Sequence, residues 1–101
     1  MIGKRKNTNE LDTPPLADSN PDSVEVLRVW AAPGTGQQLT INTCWDDPAA
    51  WGLMLADIAR HAAQAYEHQG LDRAEALDRI LKGFAAECSS PTDDPEDLTG
   101  E

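Results

Sequence analysis

The sequence predicts an α+β domain in the order ββαα: an antiparallel hairpin, then two helices packed on one face of the sheet, with the sheet completed by dimerisation. Three observations carry this reading. Two β-rich segments, Val24 to Ala31 and Leu39 to Thr43, flank the turn signal Pro33-Gly34-Thr35-Gly36. A run with helical apolar spacing follows from Pro48 to Gln69. A second such run, from Asp72 to Cys88, opens on a helix-start signal.

In the hairpin, alternation places Leu27, Val29 and Ala31 opposite Leu39 and Ile41 on one face. Both strands give apolar residues to that face, so it is the expected core side. The other face carries Val24, Val26, Arg28 and Trp30 opposite Gln38, Thr40 and Asn42. Tryptophan and arginine beside valine is the composition of an interaction hot spot, so Val26, Arg28 and Trp30 form the candidate interaction face. The competing expectation is that the Leu11 to Leu16 region folds back and covers Trp30.

The first helix is announced by Cys44-Trp45-Asp46-Asp47-Pro48-Ala49-Ala50-Trp51-Gly52. Asp47 suits the N-cap, and Pro48 suits the first helical position, where a missing N–H leaves nothing unsatisfied. Trp45 and Trp51 flank the cap near the spacing of a hydrophobic staple. At 100° per residue, Trp51, Leu55, Ile58, Ala62, Ala65 and Tyr66 share a face. Gly52, Ala56, Ala59 and Ala63 form a stripe of small residues beside it, suited to close approach of another backbone. Gly70 is the expected helix stop. In the second helix Asp72 and Glu75 have capping-box spacing, and Leu77, Leu81, Phe84 and Cys88 fall on one stripe.

Residues 1–22 hold three of the seven prolines and few apolar groups, which predicts a disordered N-terminal arm. Residues 89–101 hold five acidic and no basic groups and read as a disordered acidic tail. The folding unit is then residues 23–88. A helix from Pro48 to Gln69 is about 33 Å long, whereas a two-stranded ribbon is about 10 Å wide. One hairpin cannot cover two such helices, and a domain of about 65 residues is close to the size below which one core no longer suffices. A homodimer that pairs two hairpins edge to edge meets both difficulties.

The formal net charge of −10 disfavours sequence-independent nucleic-acid binding. The sequence has no secretory signal and no span apolar enough for a membrane. Two cysteines make no disulfide framework, so reduced thiols in a cytoplasm are expected. Cys44, His61, His68 and Cys88 lack zinc-ligand spacing. Gly34-Thr35-Gly36 lacks the lysine and serine or threonine of a phosphate-binding loop. No metal and no cofactor is expected. Asp57 and His61, four apart on the first helix, could orient one another, but no nucleophile is placed to use them.

The strings Ser23 to Ala32 (SVEVLRVWAA), Trp45 to Gly52 (WDDPAAWG) and Ser89 to Asp93 (SSPTD), with Leu55 to His61 (LADIARH), resemble a family of small, chiefly alphaproteobacterial proteins known only as a domain of unknown function. The resemblance covers roughly residues 12–95 and leaves 1–11 outside. It implies a stand-alone bacterial protein of this size and brings no catalytic residues with it. The expected function is a non-catalytic, homodimeric binding module whose partner, a protein or small ligand, meets the Val26, Arg28 and Trp30 face or a groove beside the small-residue stripe. The alternative is a small enzyme or ligand-binding protein with its site at the dimer interface near Asp57 and His61.

Overall fold

A computed structural model describes residues 8–91 and 96–97. The order is α1 (Leu16–Ser19), β1 (Leu27–Ala32), β2 (Thr35–Ile41), α2 (Ala49–His68), α3 (Arg73–Ser89) and β3 (Glu96–Asp97). The central ββαα arrangement is the one the sequence predicts. The strands differ at their ends: β1 starts at Leu27, three residues after Val24, and β2 starts four residues before Leu39. The hairpin is tighter than expected because Gly34, at φ +76, turns the chain in the left-handed region.

The register agrees with the alternation. Leu27 faces Ile41 and Val29 faces Leu39 on one side, while Arg28 faces Thr40 and Trp30 faces Gln38 on the other. Pairing is irregular between Trp30 and Ala32, next to the turn. Val26 lies just before β1, with its carbonyl accepting from the N–H of Asn42 at 2.9 Å.

The helix ends form as their sequences dictate. The Asp47 carboxylate accepts from the N–H of Ala49 at 2.9 Å, and Pro48 already has helical φ and ψ of −57 and −20. Trp45 and Trp51 meet edge to face at 5.7 Å between ring centroids, which fixes the angle at which the chain enters α2. At the other end the N–H of Leu71 bonds the carbonyl of Tyr66 and that of Gly70 bonds Glu67, with Gly70 at φ +102. These are the two bonds of a Schellman stop. Asp72 caps α3 through the N–H of Glu75 at 2.9 Å.

The terminal segments carry two short elements. The arm carries α1, closed by the Ser23 hydroxyl donating to the carbonyls of Leu16 and Asn20. Two residues of the tail form β3, which runs parallel to β2 in the register Gln38 to Glu96 and Leu39 to Asp97. Backbone pairing recruits them, a long-range effect that tail composition does not encode. Residues 1–7, 92–95 and 98–101 of the arm and tail lie outside the described residues.

Packing holds the larger departure. α2 and α3 pack on each other, but no Cα of β1 or β2 comes within 8 Å of either helix. The expected packing of the helices on the sheet is therefore not formed within one chain. Among the described residues the buried hydrophobic ones are Ala63 and Ala76, at 0% and 4% exposure, one from each side of the helix seam. The small-residue stripe works at Ala63 and the half-buried Ala59. It does not extend to Gly52, where an added Cβ would meet open space.

A Cβ at Gly70 would also meet open space, so substitution there strains only the backbone. Gly70→Ala is expected to lower the unfolding free energy by about 1 kcal/mol or more, and Asp72→Ala by about 1 kcal/mol. Urea unfolding at fixed protein concentration measures both. An unchanged midpoint for Gly70→Ala would contradict the left-handed helix stop.

Candidate functional site

The candidate face is built on β1, whose pleat sends Arg28 and Trp30 to the same side. Glu25 lies three residues before Arg28 and grips it twice, through Nε at 3.2 Å and Nη2 at 3.0 Å. Glu10, from the arm, takes Nη1 of the same guanidinium. Arg28 is thus held between two carboxylates. Its pKa is raised first by its hydrogen bonds to Glu25 and then by the one to Glu10. The fork of guanidinium donors suits this arrangement, since it presents separate edges to separate carboxylates.

Between the arm and β1 lies an open cleft of about 550 Å³. Glu10, Asp12 and Pro14 form its arm side, and Leu27, Arg28 and Trp30 its strand side. The arm therefore does fold back, but through the carboxylate of Glu10 and not through its leucines. Leu11 is 89% exposed, and Trp30 keeps 38% of its surface in contact with solvent. Leu11 to Pro14 line the same cleft as the tryptophan without burying it. Sequence reasoning missed Glu10 because a contact spanning eighteen positions leaves no local signal.

Val26, the third member of the predicted face, is half-buried at the foot of β1. Asp57 and His61 are not brought together as a dyad. Asp57 turns instead to Arg60, whose Nη1 is 2.9 Å from Oδ1, and both side chains are largely exposed. His61 lines a groove of about 510 Å³ along the helix seam with Arg60, Gln64, Arg73 and Leu77. Cys44 and Cys88 are exposed free thiols. Among the described residues, no three His, Cys, Asp or Glu side chains are grouped to hold a metal ion. No helix among them is long and apolar enough to cross a membrane.

Residues 10–92 match the family described as Domain of unknown function (DUF5076). The chain belongs to this family. The match spans the arm from Glu10, the hairpin and both helices, so the cleft and the helix seam both fall inside the family domain. A solved structure from the photosynthetic bacterium Rhodopseudomonas palustrus CGA009, provisionally named a pyruvate dehydrogenase, is similar over nearly its whole length. It is 39% identical, covers 93% of this chain and 93% of its own, and has a TM-score of 0.68. Among curated proteins none matches the chain.

The Glu10 contact is half-exposed and screened by solvent, so it governs the arm more than the fold. Glu10→Gln is expected to change global stability by less than about 1 kcal/mol. The same change should speed hydrogen exchange in peptides covering residues 8–16. Unaltered exchange there would show that the arm is held without Arg28.

Proposed function

We propose that this chain is a homodimeric binding module that acts by docking a protein partner and not by catalysis. The observation that carries this reading is the apolar surface left open. Leu55, Ile58, Tyr66, Leu81 and Phe84 on the helices and Val29 and Trp30 on the hairpin are all exposed, Phe84 by 57%. The chain exposes 8782 Å² in all. A folded monomer of its 10.9 kDa exposes about 5,600 Å². The excess of about 3,200 Å², to which the exposed segment 8–22 contributes, is larger than the roughly 800 Å² that each partner contributes to a standard interface.

The docking face in this reading is Arg28 and Trp30, with Val26 at its edge, along the cleft beside the arm. Tryptophan supplies a broad apolar anchor with few rotamers to freeze, and Arg28 supplies directed donors once a partner carboxylate replaces Glu10. The name given to the Rhodopseudomonas protein is not carried over.

Light scattering or sedimentation across a dilution series should give a mass near twice 10.9 kDa. A strictly monomeric species at high micromolar concentration overturns the dimer. Trp30→Ala should leave the mass unchanged while abolishing capture of a protein that the unaltered chain retains.

A further inference from the structure

The hairpin and the helix pair each lack a cover, and the segment joining them keeps them apart. Residues 42–48 do not form a slack linker. Asn42 is bonded to Val26, the Cys44 N–H bonds the carbonyl of Asn42, Trp45 packs edge-on against Trp51, and Asp47 caps α2. Each end of the connector is thus tied to the element it adjoins. In this arrangement the apolar face of the hairpin stays off the helices of its own chain, with no Cα of β1 or β2 within 8 Å of α2 or α3.

The helix pair needs cover on both sides. Counted at 100° per residue from the buried Ala63, the residues Leu55, Ile58 and Tyr66 lie on one side of the seam. Counted likewise from Ala76 along the returning helix, Leu77, Leu81 and Phe84 lie on the other. Two grooves flank the seam accordingly, one bounded by Gln64, Arg73 and Leu77 and the other by Tyr66, Leu71 and Ile80. A helix pair with apolar stripes on opposite sides has the character of an inner layer. Among the described residues a further apolar face is that of Leu27, Val29, Leu39 and Ile41, and it does not meet the pair within the chain.

We infer that the dimer is an exchanged one: the apolar face of each hairpin lies on the α2–α3 pair of the other copy, while the second side of the helix pairs forms the contact between copies. The occupant of each open face is thus a second copy of this chain. This inference rests on the homodimer reading and adds to it which surfaces meet. Exchange satisfies both halves of each chain with the same symmetric operation, and the two copies bury equivalent surfaces. Interfaces that form in this way are large and apolar, in keeping with the excess area of the single chain.

Cross-linking in a Cys44→Ser, Cys88→Ser background tests the arrangement, since both native thiols are free and exposed. Chains carrying Val29→Cys are co-expressed with chains carrying Phe84→Cys or, separately, Leu55→Cys, and treated with a short bismaleimide. Leu39→Cys and Leu81→Cys are substitutes where a variant loses its helical circular dichroism. The expected product is a covalent heterodimer of twice the chain mass with a helix variant of one side or the other. A single chain carrying Val29→Cys with the reactive helix position should not close on itself. Closure within one chain at the monomer mass overturns the exchange and leaves the homodimer standing. A dimeric mass by light scattering with neither product also overturns it. A monomeric mass for the unmodified chain overturns both readings.

Discussion

The close approach of α2 and α3 at Ala63 and Ala76 is the contact on which the remaining arrangement depends. Alanines let two backbones come together, and a Schellman stop followed immediately by a capped restart turns the chain back to make them do so. The same choice limits how much the contact stabilises. Burying a leucine or phenylalanine side chain contributes roughly 1.5–3 kcal/mol, and a methyl group much less. Helices that meet through methyl groups leave their large side chains on the flanks. The exposure of Leu55, Ile58, Tyr66, Leu81 and Phe84 follows from the seam being narrow, and so does the need for a surface to cover them.

The aromatic staple at Trp45 and Trp51 supplies the second constraint. An edge-to-face pair, a capping carboxylate and a proline at the helix start set the direction in which the chain enters α2. Both constraints act locally, and the apolar faces of the hairpin and of the helix pair remain open in the folded chain.

This division also explains what could be read from the residues. The hairpin register, the Asp47 and Asp72 caps and the Gly70 stop each depend on a few neighbouring positions, and each formed as the sequence indicates. The stripe of Gly52, Ala56, Ala59 and Ala63 was legible as a close-approach surface, but its working half was not, because that depends on where α3 crosses. The β3 pairing and the reach of Glu10 to Arg28 join residues far apart in sequence, and nothing in their neighbourhoods marks them. On the candidate face, the side shared by Arg28 and Trp30 was readable from alternation alone. That a carboxylate and not a leucine would come back to it was not. The layered packing of helices on the sheet was inferred from the general need to cover apolar faces. That need is real, but it does not specify that the cover comes from the same chain.

Family membership bears on that last point. The family match covers the hairpin and the helix pair together, and the Rhodopseudomonas structure shares 93% of its length with this chain at 39% identity. Within one chain the two halves do not approach each other within 8 Å between Cα atoms, so their packing in cis gives little reason for them to persist as one unit. Either could be lost or replaced without disturbing the packing of the other. Their retention side by side in a relative that differs at well over half of its positions has a physical reason if each half is the cover of the other in a second copy. In the proposed exchange the connector is the spacer between the two faces. On that account the order of residues 42–48 is as much a part of the interface as the apolar faces it holds apart.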